Sequence, residues 1–88
     1  MRFRVTVSET ATRQLEKIPK EVRKRVLRGL EVLIVDPFRP RPKADILRIE
    51  GTDPKKYRLR IGDYRAIYAV VDDEVRVIEV FARGRGYR

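Results

Sequence analysis

The sequence predicts an α+β domain: a small antiparallel sheet of about four strands, with two N-terminal antiparallel helices packed on one face. Three observations carry this reading. Residues 57–68, YRLRIGDYRAIY, are two alternating runs around Gly62-Asp63, the pattern of a two-residue hairpin. Residues 2–7 alternate Phe3, Val5 and Val7 against Arg2, Arg4 and Thr6, as a half-buried strand does. Between them, apolar residues recur at helical spacing from Ala11 to Ile34, interrupted at Pro19.

Taken in order, the strand over 2–7 leads to Ser8, an N-cap, with Glu9 favourably placed in the first helical turn. Ala11, Leu15 and Ile18 give a first helix of about ten residues. Pro19 ends it and suits the first turn of the next. Val22, Val26, Leu30 and Leu33 line that second helix, widened by Leu27 and Ile34. Arg23, Lys24 and Arg28 form its solvated face, and Glu21 is spaced to pair with Arg25. Asp36-Pro37 stops the helix. The connector DPFRPRPKA is extended and held to the core by Phe38. Asp45–Glu50 is a short strand with Leu47 and Ile49 on one face. After a polar turn over 51–56 comes the hairpin, and Asp72-Asp73-Glu74 then turns into a last strand, Val75–Phe81, apolar on both faces.

The hairpin turn is of type II′, with glycine supplying the positive φ. It sets Ile61 opposite Tyr64, Arg60 opposite Arg65, and Leu59 opposite Ala66. Tyr57, Leu59, Ile61, Tyr64, Ala66 and Tyr68 share one face; Arg58, Arg60 and Arg65, followed by Ile67, share the other. Like charges directly across a strand pair are destabilising, so Arg60 against Arg65 points to function over folding.

The 88 residues make one domain, 1–88, with a modest core. No apolar run approaches a membrane span and no signal-peptide pattern opens the chain, so a cytoplasmic location is expected. With no cysteine, disulfides and thiolate metal sites are excluded. With no histidine, the commonest general base and metal ligand are absent too. The 22 Lys and Arg against 13 Asp and Glu leave a net charge of +9, which calls for a polyanionic partner, usually nucleic acid. A charge-rich thermophile surface accounts for 40% charged residues but not for so unequal a balance.

Arg58, Arg60 and Arg65 on one open face, joined by Arg83 and Arg85 from the neighbouring strand end, suit phosphate, whose oxygens match guanidinium forks. Arginine does not serve as a general base. Any catalysis by this set acts mainly by stabilising charge on phosphate. Tyr87 is the nearest group for proton transfer or base stacking. No metal or cofactor is expected.

YRLRIGDYRAIY, the preceding LRIEG and the ending FARGRGYR resemble the RelE toxins of the RelE/ParE superfamily, in particular the short archaeal form. The resemblance spans nearly the whole chain. It implies a toxin of a type II toxin–antitoxin system that enters the ribosomal decoding site and cuts messenger RNA without metal, the 2′-hydroxyl attacking the adjacent phosphate. The family's functional residues then fall on Arg58, Arg60, Arg65, Arg83 and Tyr87 as the catalytic set, with Arg85 an alternative to Arg83. Arg85, Lys55, Lys56, Arg88 and Arg48 are the expected RNA and ribosome contacts. The resemblance further implies an acidic RelB-like antitoxin, a hetero-oligomeric complex and no membrane association. The competing readings are a ParE-like gyrase inhibitor and a noncatalytic RNA-binding protein or inactivated toxin. The clustered arginines argue against the gyrase inhibitor.

Overall fold

A computed structural model describes residues 2–84. The order is β1 (Arg4–Val7), α1 (Glu9–Glu16), α2 (Lys20–Leu30), α3 (Val32–Val35), β2 (Asp45–Ile49), β3 (Lys56–Ile61), β4 (Tyr64–Val71) and β5 (Glu74–Ala82). All strands join one sheet in the order β1-β5-β4-β3-β2. The α+β class stands, but the sheet has five strands, not about four, and it is not wholly antiparallel. β2 to β5 form an antiparallel meander, while β1 pairs parallel with β5, Val5 against Val75 and Val7 against Val77. The chain leaves β1, crosses the sheet through the helices and returns to β1's side at its last strand. Alternation shows that a strand is half-buried; it does not say which strand it joins, or in which sense.

The helices cover one face. Ala11, Leu15, Val26, Leu30 and Leu33 meet Ile46, Leu59, Ala66, Tyr68, Val75, Val77 and Val80 in a single core. Each large apolar side chain buried there contributes about 1.5–3 kcal/mol. Ser8 caps α1 as expected: its Oγ accepts from the Ala11 amide at 3.0 Å and donates to the Ile78 carbonyl at 2.7 Å, tying helix to sheet. α1 is shorter than expected, at eight residues. Pro19 occupies the N-cap of α2, one position before the first turn. Glu21 pairs with Lys24, at 3.9 Å, instead of Arg25. Arg23 bends back to the Ile18 carbonyl at 3.0 Å, closing the end of α1. Leu27 is largely exposed, so the apolar stripe of α2 is narrower than its sequence reads.

The connector is anchored by Pro37, not Phe38. Pro37 is fully buried and its carbonyl accepts the Tyr68 hydroxyl at 2.7 Å, whereas Phe38 is 47% exposed. The Phe38 ring still meets Phe3 and Tyr57 edge-on, with centroids 5.8 and 5.7 Å away. The hairpin register is the expected one, Ile61 with Tyr64, Arg60 with Arg65 and Leu59 with Ala66. Gly62 has φ +58 and Asp63 is not among the positive-φ residues, the φ pattern of type II′. In β5 the register shifts between Ile67/Glu79 and Tyr68/Val77, leaving Ile78 as an extra residue. This bulge turns Glu79 and Phe81 onto the open face, which is why β5 reads as apolar on both sides.

Candidate functional site: an arginine furrow on the open face

Two cross-strand rows build the open face beside the hairpin. One runs Asp45, Arg60, Arg65, Phe81; the next runs Leu47, Arg58, Ile67, Glu79. Register alone thus brings Arg58, Arg60 and Arg65 together. Along Arg58 and Arg65 lies a furrow of about 280 Å³ lined by Leu47, Ile49, Arg58, Arg65, Ile67, Phe81, Arg83 and Gly84, with Arg60 just outside it. Its floor is apolar and its rim cationic, so it sets an apolar seat beside guanidinium groups, whose forks match phosphate oxygens in geometry. A larger hollow of about 640 Å³ lies on the other side of the hairpin tip, between Val22, Arg25 and Val26 of α2 and Tyr64.

Arg83 is held against the hairpin tip by its own backbone, whose N–H donates to the Asp63 carbonyl at 2.6 Å. Its side chain contributes to the furrow and its charge reaches Arg65. The Arg65 guanidinium is held below the usual arginine range, first by burial and then by the charges of Arg60, Arg58 and Arg83. Asp45 opposes that trend. Arginine's ordinary pKa is so high that Arg65 still carries its charge at neutral pH. Four cations thus share one small site, and the sheet holds them against their mutual repulsion.

Arg58 has the least exposed side chain of the ion-paired arginines among the described residues. Leu47 and Ile67 flank it as direct neighbours across the two strands. Its Nη2 donates to Asp45 Oδ1 at 3.1 Å, while its Nε is buried with no hydrogen-bond partner.

The other expected contacts divide. Lys56 lies on the same face, across from Ile49 and Ala69, and extends the cationic surface along β3. Lys55 is exposed in the loop before β3. Arg48 is not brought to the site: it alternates to the opposite side of β2, beside Tyr57, and pairs with Glu50 at 3.3 Å. Arg85, Tyr87 and Arg88 lie outside the described residues. Among the described tyrosines, Tyr68 is no proton donor to the site, since burial pushes its phenol far up and its hydroxyl is used on Pro37. Sequence reasoning missed Asp45 and the apolar floor. Their signal was present, because Asp45 and Leu47 alternate onto the face that pairs with Arg60 and Arg58. No three His, Cys, Asp or Glu side chains cluster as metal ligands among the described residues.

Helices on one face of a five-stranded sheet, and an arginine furrow on the other, define a small cationic α+β protein. Residues 5–87 match the sequence model of the ParE toxin of type II toxin–antitoxin systems. A protein of Methanocaldococcus jannaschii with the provisional name toxin RelE1 is 33% identical over 87 residues, 98% of this chain and 94% of its own length. The archaeal RelE–RelB complex of Pyrococcus horikoshii contains a chain 35% identical with a TM-score of 0.79, covering 98% of this chain and 100% of that one. A chain of the RelBE2 toxin–antitoxin complex of Mycobacterium tuberculosis is 25% identical with a TM-score of 0.73, covering 94% and 100%. The chain belongs to the RelE/ParE family of type II toxin–antitoxin toxins. No helix among the described residues is long and apolar enough to cross a membrane.

Proposed function

We propose that this toxin is a ribosome-dependent messenger RNA endonuclease acting in the cytoplasm. The observation that carries the reading is the convergence of Arg58, Arg65 and Arg83 on one furrow with an apolar floor, with Arg60 beside it as the cross-strand partner of Arg65. Phosphate lies on the rim and a base lies on Leu47, Ile67 and Phe81. The 2′-hydroxyl attacks the adjacent phosphate; the bond to the 5′-oxygen breaks, leaving a 2′,3′-cyclic phosphate and a 5′-hydroxyl. The arginines stabilise charge on the phosphoryl oxygens, which is where preorganised donors act most strongly. None of them takes the proton, so alignment of the strand must supply much of the acceleration, and a ribosome holding the messenger provides it. Tyr87 is the proposed proton-transfer group.

Primer extension on translating ribosomes tests this. Messenger 5′ ends clustered at the decoding-site codon support it; intact messenger at saturating toxin overturns it. The match to the ParE model favours a second reading, a gyrase-directed toxin, which a supercoiling assay with purified gyrase distinguishes.

The partner is proposed to be an acidic RelB-like antitoxin, since the similar chains occur in RelE–RelB and RelBE complexes. A chain of net charge +9 attracts an acidic partner quickly, and apolar burial then keeps the complex together. Co-purification with the product of the adjacent reading frame tests this; a basic product, or a complex that still cuts messenger at full rate, counts against it.

A further inference from the structure

We propose that Asp45 is a positioning residue of the arginine furrow: its carboxylate holds half of the Arg58 fork in the empty site and yields it to an RNA phosphate. The inference rests on the reading that the furrow binds RNA and names the step by which phosphate enters it.

Nε–H and Nη2 lie on one edge of a guanidinium and together match two oxygens of a phosphate or carboxylate. In Arg58 that edge is half used. Nη2 donates to Asp45 Oδ1 at 3.1 Å, while Nε is buried and has no hydrogen-bond partner. A buried donor without a partner is destabilising, more so on a charged group. The carboxylate therefore leaves the fork underused, and a ligand with two oxygens relieves the cost.

The two partners differ in freedom. The Arg58 side chain is 25% exposed, with Leu47 and Ile67 on either side, so its fork keeps its direction when its partner changes. The Asp45 side chain is 56% exposed and can swing aside. Ion pairs with so open a partner contribute little to stability. Asp45 also has somewhere to go: Arg60 is its direct cross-strand neighbour, is exposed, and makes no ion pair among the described residues. Without ligand, the carboxylate softens repulsion among the arginines. With ligand approaching, the same charge repels phosphate until it leaves Arg58. Asp45 thus sets how strong an anion must be to enter, and it touches neither substrate nor reacting atoms.

The test is binding of a single-stranded 2′-O-methyl oligoribonucleotide, which cannot be cut, followed by fluorescence anisotropy. Asp45→Asn removes the charge but keeps the shape. It is expected to bind about tenfold tighter, the scale of one relieved charge repulsion near a surface. Asp45→Glu restores wild-type affinity. Glu50→Gln makes the same charge change at the end of β2, on a residue paired with Arg48, and stays within twofold. On ribosomes, Asp45→Asn lowers KM while the single-turnover rate stays within twofold, a split that loss of structure alone does not produce. Asp45→Ser replaces the Asn variant if that one melts early. Unchanged or weaker oligonucleotide binding by Asp45→Asn overturns the proposal. The binding arm needs no cleavage: wild-type protein that binds the oligonucleotide but leaves messenger intact sinks the nuclease reading and not this one.

Discussion

Arg60 and Arg65 are direct cross-strand partners, one pair in from the Gly62-Asp63 turn. Like charges so placed oppose pairing by up to about 1 kcal/mol. The hairpin forms because the opposite face outweighs this: Leu59 and Ala66 are buried in the core one pair further on, and Tyr57 stacks on Tyr68 with ring centroids 5.4 Å apart.

Arg65 is the member of the set whose charge is most opposed by its surroundings, so its loss separates activity from stability. Arg65→Ala is expected to lower ribosome-dependent cleavage at least about a hundredfold, the scale of one lost electrostatic donor. It melts no lower than wild type, because the change relieves repulsion. Full cleavage, or a collapsed fold, counts against this.

The hairpin register and the sharing of one face by Arg58, Arg60 and Arg65 were legible because a two-residue turn leaves no freedom: counting outward from Gly62-Asp63 assigns every side chain to a face. The parallel union of β1 with β5 was not legible, since strand alternation is the same in either sense. Nor was the bulge at Ile78, which reverses the alternation of β5 from Glu79 onward. Arg48 was assigned to the RNA contacts on charge alone; its parity within β2, opposite to that of Leu47, sends it to the other face. Phe38 read as an anchor because it is large, but the chain direction at Asp36-Pro37 buries the proline first.

Gln14 replaces a missing strand. β1 ends at Val7, so beyond Val77 the edge of β5 on that side has no strand partner. The Val80 amide donates to Gln14 Oε1 at 2.6 Å instead. Gln14→Leu strands this N–H and is expected to cost about 1–3 kcal/mol. In a domain of this size that corresponds to a melting temperature lowered by roughly 4–8 °C per kcal/mol. Gln14→Glu keeps the acceptor and retains most of the stability; equal melting of Gln14→Leu and wild type would rule the bond out as a support.

Gly29 sets how closely α2 approaches the hairpin. A Cβ there meets Ile61 Cγ2 at 2.7 Å and Cγ1 at 3.0 Å, atoms of a branched side chain with little room to rotate. Alanine gains about 1 kcal/mol in helix preference over glycine. The clash costs about 1–3 kcal/mol, so Gly29→Ala is expected to be net destabilising. In urea melts, Gly29→Ala made on an Ile61→Ala background is instead neutral or stabilising. Simple additivity of the two changes would mean that close approach is not the cause.

Acid sensitivity follows from Asp36. Its Oδ1 accepts from the Phe38 and Arg39 amides at 2.9 and 3.2 Å, which hold its carboxyl below the ordinary 3.8, helped by Arg41 and Arg39. A depressed folded-state pKa stabilises fully above the unfolded value and is lost as pH falls through the folded one. Wild type therefore loses this contribution below about pH 4, while Asp36→Asn has lost it at every pH. The melting temperatures of the two are expected to differ at pH 7 and to converge on acidification. A constant gap between pH 7 and pH 2 would assign the effect to something other than this carboxylate.

Salt dependence weighs the contribution of each cation to RNA binding, and the two faces of the sheet supply the contrast. A cation that neutralises one phosphate of a single strand releases counterions and contributes about −0.7 to the slope of log K against log salt. Arg58, Arg60, Arg65 and Arg83 acting together thus give a slope of about −3 for a short single-stranded oligonucleotide. Arg60 is exposed, free of ion pairs among the described residues, and turned to the furrow side of β3. Arg60→Gln should make the slope shallower by about 0.7. Arg48 points to the other side of β2 and is engaged by Glu50 at 3.3 Å. Arg48→Gln removes the same formal charge and should leave the slope where it is, with only a small uniform loss of affinity from the change in net charge. Equal slopes for Arg60→Gln and wild type would mean that the strand does not follow the furrow. A shallower slope for Arg48→Gln would mean that RNA wraps past the sheet edge at β2 onto the other face, and the binding surface would have to be redrawn there.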